Sequence, residues 1–339
     1  MSDPSLLAAS LLTQGKMSAA TVPPLIQRDT TADETIVVSQ QILPTIEITS
    51  PEFSQPQRHL QGYPYQTTRS KPTAPDSITI ESITPRKFNA LPVSGSQMYY
   101  QRLAALQAGK VYTRVPNDSF PSAWSKATYQ PTYEQWKRLL VKEAKAVAIG
   151  QGSNHLTILV GDSLSLWFPS DRLASDRLWL NQGISGDTSA GILKRLSAFA
   201  KTRPDTIYLM VGINDLRRGA TNESILRNYR HIIHRLRWHH PQAQVIVQSI
   251  LPTRKAGMLN DRIRQLNLQL AVIAYREGAD YLNLYALFSD VDGNLRQDLT
   301  TDGLHLSPRG YAVWQWALQQ AEPWIALNRH EALPKRIRQ

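Results

Sequence analysis

The chain has 339 residues, of which 42% are hydrophobic and 19% charged, a composition typical of a globular protein that can build a core. The formal net charge of +11 favours anionic partners such as membrane surfaces, but no arginine-rich run is interleaved with aromatic residues, which argues against nucleic-acid binding. The absence of cysteine excludes disulfides, thiolate catalysis and cysteine-based metal sites.

Residues 1–95 are predicted to be largely disordered. They hold 11 of the 21 prolines, set among Ser, Thr and Gln, and such a segment buries too little apolar area to offset chain entropy. An acidic Asp3 and a short apolar patch from Leu6 to Leu12 do not resemble a signal peptide. No stretch approaches the roughly 20 apolar residues of a membrane span. We therefore expect a cytoplasmic protein.

Residues 96–152 are predicted to form a helical N-terminal extension. Apolar residues recur at helical spacing from Met98 until Gly109 stops the run. A second helix is predicted from Thr132, a good N-cap with Gln135 at the capping-box position, to Gly150. We expect this pair to dock on the following domain, with free interaction helices as the alternative.

Residues 153–328 alternate short β-branched runs with amphipathic helices, which predicts parallel βαβ units with helices on both faces of one sheet. In such sheets the site lies at the carboxyl ends of the strands. Residues 329–339 form a basic C-terminal tail. The predicted strands are Leu156 to Val160, Leu178 to Asn181, Thr206 to Val211, Gln244 to Ile250 and Tyr281 to Leu284, and the main helices are Ser189 to Lys201, Glu223 to His239 and Asn260 to Glu277.

A candidate nucleophile follows the first predicted strand. Gly161 is expected to let the backbone bend sharply, and Ser163 would then begin a helix whose free N–H groups and dipole favour an oxyanion. Taken alone, the segment fits equally well a serine that merely caps a helix.

A candidate general base lies near the other end of the domain, in a loop that precedes a helix with Ser307 as N-cap and Pro308 at its first position. Asp302 and His305 are three residues apart across Gly303. The carboxylate can then hold Nδ1 of the imidazole, so that Nε2 faces the nucleophile. A solvated histidine at a helix start is the simpler alternative.

Two further loops offer donors for an oxyanion. Gly186 follows the second strand and Asn214 follows the third, so both belong to the same sheet edge as Ser163. Asp162 and Asp215 stand beside these residues. Neither has further ligands at a recognisable spacing, so we expect supporting hydrogen bonds and no metal.

Together these four segments resemble the SGNH hydrolases, also called GDSL esterases and lipases, over about residues 155 to 325. Parts of the motif sequence also resemble the corresponding parts of bacterial thioesterase/lysophospholipase enzymes and of platelet-activating-factor acetylhydrolase subunits. The resemblance implies a three-layer α/β/α sandwich with a parallel, flavodoxin-like sheet. It also implies a Ser163–His305–Asp302 triad, an oxyanion hole of Ser163, Gly186 and Asn214, and no cofactor. The four blocks are Gly161-Asp162-Ser163-Leu164-Ser165, Ile184-Ser185-Gly186-Asp187-Thr188-Ser189, Gly212-Ile213-Asn214-Asp215 and Asp302-Gly303-Leu304-His305.

The substrate is left open between a small acyl ester, a lysophospholipid and a thioester, with a carbohydrate O-acetyl ester as the alternative. Arg217 and Arg218 are interpreted as a solvated pair or as a site for a substrate phosphate or carboxylate. A non-enzymatic scaffold is disfavoured because it needs none of the four blocks. The sequence does not indicate an oligomeric state. Candidate acyl-pocket residues, although aromatic residues after a strand more often belong to the core, are Trp167, Phe168, Leu173, Leu178 and Trp179.

Overall fold

The computed structural model describes residues 91–332. The predicted disorder of residues 1–95 falls almost entirely outside this range, as does most of the basic tail 329–339. The described residues belong to one compact unit.

The N-terminal extension contains two long helices, as predicted. Helix α1 (Gly95–Gln107) begins after Ser94, whose side chain accepts a hydrogen bond from the Gln97 N–H. A single turn, α2 (Pro121–Trp124), follows. Helix α3 (Tyr133–Gly150) starts with the predicted capping box between Thr132 and Gln135 and ends at Gly150.

The extension packs against the edge of the sheet. Arg102 of α1 forms a buried ion pair with Glu143 of α3 and also donates to the backbone oxygen of Asn181 at 2.7 Å. Around this pair, apolar residues of α3 such as Leu140 share a cluster with Ile184. The extension therefore docks on the sheet domain, and its helices are not free interaction helices.

All five strands are parallel and lie in the order β2-β1-β3-β4-β5. This is the flavodoxin-like order, and it puts a topological switch point between β1 and β3. Strand β4 ends earlier than predicted because Asn267 bonds both backbone groups of Ile250, each at 2.8 Å. The strands are β1 (Leu156–Gly161), β2 (Leu178–Gly183), β3 (Thr206–Met210), β4 (Gln244–Gln248) and β5 (Asp280–Leu282).

Seven helices follow β1 in the described chain, and the last starts at Pro308 with the Ser307 hydroxyl accepting the Gly310 N–H. The helix predicted to reach Lys201 is shorter, because after Arg195 the chain tightens into a 3-10 turn, Leu196–Phe199. None of the helices in residues 91–332 has an apolar stretch of the length and hydropathy that a membrane span requires. The seven are α4 (Ser163–Leu166), α5 (Ser189–Arg195), α6 (Ile213–Arg217), α7 (Asn222–His239), α8 (Asn260–Arg276), α9 (Tyr285–Phe288) and α10 (Pro308–Ala332).

Helices cover the sheet on both faces. Every residue of β1 and β3 is buried, which is the pattern of strands inside a three-layer α/β/α sandwich. The main core joins these strands to α7 and α8 through residues such as Ile158, Ile232 and Leu266, each 0% exposed. The rigid sheet therefore fixes the places from which the loops at its carboxyl edge start.

Candidate functional site

Ser163 lies two residues beyond β1 and begins α4, where it is 8% exposed. The Asp162 side chain caps this turn by accepting the Leu164 N–H at 3.0 Å. Because α4 has only four residues, few peptide dipoles are aligned behind it. An anion beside Ser163 would therefore be stabilised by individual donors and not by a helix dipole, contrary to the sequence-based expectation.

Gly161 is needed for close packing and not for a sharp bend. Its φ lies outside the positive range, unlike that of Gly186. A Cβ at position 161 would stand 2.5 Å from the backbone oxygen of Met210 and would also collide with Oγ of Ser165. The glycine therefore lets β3 and α4 approach the strand end that leads to Ser163, which corrects the predicted role.

Asp302 and His305 contact each other as the sequence predicted. Nδ1 of His305 lies 2.9 Å from one carboxylate oxygen, and the His305 N–H donates to the other at 2.8 Å. Burial would raise the pKa of Asp302, but these bonds and that of the Leu304 N–H outweigh it and hold the pKa well below its usual range. The carboxylate is thus ionised and fixes the imidazole with Nε2 turned away from it.

Residues of the loop after β4 hold this Asp302–His305 loop in place, and no local sequence pattern predicts these contacts. The backbone oxygen of Gly303 accepts from the Arg254 N–H at 2.8 Å and from the Thr253 hydroxyl at 2.9 Å. Lys255 brings its ammonium within 3.8 Å of Asp302. The His305 backbone oxygen is held in turn by the hydroxyl of Thr300 at 2.7 Å.

The His305 loop packs against the Ser163 turn. Leu304 lines a small cavity together with Asp162 and Leu164, and the Tyr311 hydroxyl donates to the backbone oxygen of Leu164 at 3.1 Å. Among the described residues no hydrogen bond joins the Ser163 hydroxyl to His305. Such bonds are often long in unliganded enzymes and tighten when substrate binds.

Gly186 occupies the third position of a β-turn closed by the bond from the Asp187 N–H to the Ile184 oxygen. Its φ of +76° is a conformation that favours glycine at this position. Arg218 donates to the backbone oxygen of Gly186 at 2.7 Å and so ties this turn to the end of α6. The arginine is exposed, yet its guanidinium is already engaged by the protein.

Asn214 is 5% exposed and its side-chain amide is bonded at both ends. Nδ2 donates to the Asp187 oxygen at 3.1 Å and, more weakly, to the Asp162 carboxylate at 3.3 Å. Oδ1 accepts from Arg217 at 3.4 Å. The Asn214 amide therefore points into the space between the Ser163 and Gly186 loops, and a ligand there would compete with the longer bond.

Two buried acids form contacts that connect the Gly186 and Asn214 loops to neighbouring segments. The spacing of residues in the sequence did not predict these contacts. Asp187 pairs with Arg195 at 2.7 Å, and Arg195 also donates to the Gly161 oxygen at 3.1 Å. Asp215 accepts the N–H and hydroxyl of Ser189, and although burial raises its pKa, these bonds oppose the rise. The Gly186 and Asn214 loops are thus cross-linked below the site.

The pKa of Asp162 makes the stability of the protein depend on pH. Burial raises its pKa to about 7, and the nearby Asp187 and Asp215 carboxylates add to the rise. In the unfolded chain the pKa is about 3.9, so the folded protein binds the proton more tightly. The resulting stabilisation is complete below about pH 4 and is lost as the pH rises through about 7.

We therefore expect the Tm of the wild type to fall relative to Asp162→Asn as the pH rises from about 4 to about 8. Circular dichroism melts in matched buffers measure this. Asp261→Asn is the control, since that side chain is 84% exposed, and its curve should run parallel to the wild type. If the Tm of Asp162→Asn also changed with pH in parallel with that of the wild type, the raised pKa of the buried Asp162 carboxyl would be contradicted.

The aromatic residues considered for an acyl pocket are mostly core. Phe168 is 1% exposed and contacts Tyr311 and Trp314 edge-on, while Trp179 is 4% exposed and stacks on Tyr208. The cavity beside Asp162 and Leu164 holds only about 10 Å³. That is about the minimum for one water molecule, so no preformed tunnel for a long acyl chain exists there.

The described range contains no group of three or more His, Cys, Asp or Glu side chains placed to hold a metal ion. Asp162 and Asp215, the two acids considered above, instead accept hydrogen bonds from protein groups. The groups described at this edge include a hydroxyl, an imidazole–carboxylate pair and N–H donors.

Comparisons with known proteins identify the family of the chain. Residues 159–313 match the GDSL-like Lipase/Acylhydrolase family. The human platelet-activating factor acetylhydrolase IB subunit alpha1 is 31% identical over 165 residues, which cover 45% of this chain and 69% of the relative. An N-acylneuraminate cytidylyltransferase of Streptococcus agalactiae is 27% identical over 150 residues, 44% of this chain and 34% of that protein.

Among solved structures, one from Streptococcus pneumonia matches with a TM-score of 0.51 and 22% identity, over 57% of this chain and 94% of that one. This likeness supports the fold. The family match spans all four loops, from the end of β1 to the start of α10. The chain therefore belongs to the GDSL-like lipase/acylhydrolase family of SGNH hydrolases and is an enzyme that hydrolyses esters.

Proposed function

We propose that the enzyme is a serine esterase with Ser163 as nucleophile, His305 as general base and Asp302 as the group that orients His305. The observation that carries this proposal is the pair of hydrogen bonds between Asp302 and His305, on a loop that packs against the Ser163 turn. With Nδ1–H given to Asp302, Nε2 is free to accept the proton of the serine hydroxyl.

In the proposed reaction, Oγ of Ser163 attacks the ester carbonyl while Nε2 of His305 takes its proton. The oxyanion accepts hydrogen bonds from the N–H groups of Ser163 and Gly186 and from Nδ2 of Asn214. His305 then gives the proton to the leaving alkoxide. Water, activated by the same imidazole, hydrolyses the acyl-enzyme and regenerates the hydroxyl.

We further propose that the substrate carries a short acyl group. The cavity beside the nucleophile turn, which Asp162 and Leu164 line, is too small to hold a methylene chain. The human relative is named for an acetylhydrolase activity, which suits a two-carbon acyl group. Small-molecule acetyl esters, of a lipid or of another alcohol, are thus the proposed substrate class.

The test is a chain-length series with p-nitrophenyl acetate, butyrate and octanoate. We expect kcat/KM to fall by at least about ten-fold from acetate to octanoate, since added methylenes find no pocket. A preference for octanoate would overturn the short-acyl proposal. It would leave the nucleophile untouched, because that is tested separately with Ser163→Ala.

A carbohydrate O-acetyl esterase is the second candidate. It would use the same proposed triad and the same short acyl group. Acetate release from an O-acetylated monosaccharide, compared with release from an acetylated glycerophospholipid, separates the two. Release at least about ten-fold faster from the sugar would favour the second candidate.

Arg218 is proposed as a positioning residue for the oxyanion hole, because it holds the Gly186 carbonyl. Arg218→Ala should lower kcat by about ten-fold with little change in KM, since a misplaced donor matters mainly in the transition state. Arg218→Lys should recover part of the loss. Arg227→Ala, at an exposed site of α7, is the control. An unchanged kcat in Arg218→Ala would restore the solvated-pair interpretation.

A further inference from the structure

The helical extension packs against both the Ser163 turn and the Gly186 turn. Its apolar cluster joins Leu140 of α3 to Leu166, which ends α4, and to Ile184, which begins the Gly186 turn. All three side chains are at most 2% exposed, so this contact is part of the closed core. The extension precedes the residues that match the family, 159–313, yet it supports two of the loops that form the site.

Tyr133, the first residue of α3, makes a polar contact from the extension to the Gly186 turn. Its hydroxyl donates to Oδ1 of Asp187 at 3.2 Å. The capping box of Thr132 and Gln135 fixes the start of α3 and therefore the place of the Tyr133 backbone. Burial and the Asp187 carboxylate raise the pKa of Tyr133 to about 12, so the hydroxyl keeps its proton and is a donor at neutral pH.

The Asp187 carboxylate also accepts from two nearby groups of its own chain segment. The Thr188 N–H donates at 2.9 Å and Nε of Arg195, which ends α5, donates at 2.7 Å. Tyr133 lies 54 residues earlier, so its bond fixes this segment relative to the extension. Gly191 leaves room for the contact, because a Cβ there would collide with the Asp187 carboxylate and would stand 3.1 Å from the Tyr133 hydroxyl.

The backbone of Asp187 bears on two proposed oxyanion donors. Its N–H closes the turn that presents Gly186, and its oxygen accepts from Nδ2 of Asn214 at 3.1 Å. The other contact of Nδ2, to Asp162 at 3.3 Å, is the longer one, with which a ligand would compete. The Asp187 oxygen therefore sets the direction of the Asn214 amide when an oxyanion binds.

We propose that Tyr133 is a positioning residue for the oxyanion hole and acts through Asp187 on the amide of Asn214. The inference rests on the proposed function, in which Asn214 is an oxyanion donor. Without the Tyr133 hydroxyl, the Asp187 segment loses its polar tie to the extension and can shift. A donor displaced by a fraction of an ångström then stabilises the transition state less well.

Tyr133→Phe keeps the ring and removes the hydroxyl. It should lower kcat for p-nitrophenyl acetate by about three- to ten-fold with little change in KM, because the misplaced donor matters mainly in the transition state. Tyr129→Phe is the matched control, since it also removes a hydroxyl bond of the extension, to Gln135 at 3.4 Å, and leaves Asp187 untouched. Its kcat should equal that of the wild type.

A double-mutant cycle with Asn214→Ala separates positioning from a general loosening of the fold. In the Asn214→Ala background, Tyr133→Phe should lower kcat by less than about two-fold, because the amide that it positions is gone. Equal losses in the two backgrounds, or an unchanged kcat in Tyr133→Phe, would overturn the inference and leave the proposed oxyanion hole intact. An unchanged kcat in Asn214→Ala would overturn the oxyanion role of Asn214 and this inference together.

Discussion

Replacing Ser163 by alanine should lower kcat for p-nitrophenyl acetate by at least about 10³-fold, because the attacking oxygen is removed. His305→Ala should cause a loss of the same order, since the serine would then keep its proton. The double variant should be no slower than either single variant, as expected for residues that act as one unit. Steady-state kinetics on the three proteins measure this.

Folding should survive these changes. The described hydrogen bonds include none from the Ser163 hydroxyl, so Ser163→Ala should melt close to the wild type. Ser165→Ala is the matched control, since this serine is also buried on the same turn but is assigned no chemical role. A Ser165→Ala variant as inactive as Ser163→Ala, with native circular dichroism, would argue against Ser163 as nucleophile.

Removing the amide of Asn214 should have the next largest effect. Asn214→Ala should lower kcat by about 10² to 10³-fold with a much smaller change in KM, because an oxyanion donor acts mainly in the transition state. The variant should also be less stable. The Asp187 oxygen, which accepts from Nδ2 at 3.1 Å, would be left without that donor, at a cost of about 1 to 3 kcal/mol.

Gln242→Ala, an exposed change just before β4, is the control and should alter neither kcat nor Tm appreciably. A rise of KM without a fall of kcat in Asn214→Ala would instead indicate that the amide binds the ground state as strongly as the transition state. An unchanged kcat would remove Asn214 from the proposed oxyanion hole and leave the two backbone N–H groups.

Local signals in the sequence predicted much of the fold. The strands carried runs of β-branched residues, and the capping box at Thr132 and the Ser307-Pro308 pair marked helix starts correctly. The Asp302–His305 contact was also predictable, because it spans three residues of one loop. Structural features that depend only on interactions between residues a few positions apart can be inferred from one sequence.

Contacts between distant segments were not predictable. Arg195 reaches back to Gly161, Arg218 to Gly186, and Arg254 to Gly303, and nothing in their local sequence indicates these partners. The requirement for glycine at position 161 was not predictable either. A Cβ there would collide with the backbone oxygen of Met210, which lies on another strand. Such tertiary contacts set the geometry of the site, whereas local sequence sets only which residues are available.

The central claim, that Ser163 is the nucleophile, is tested most directly by covalent labelling with a fluorophosphonate ester. The serine oxygen would displace fluoride and bond to phosphorus, and intact-mass and peptide analysis would locate the adduct. We predict one adduct per chain, on Ser163, with labelling absent in Ser163→Ala and much slower in His305→Ala. An adduct on another residue, or equal labelling of Ser163→Ala, would contradict the account.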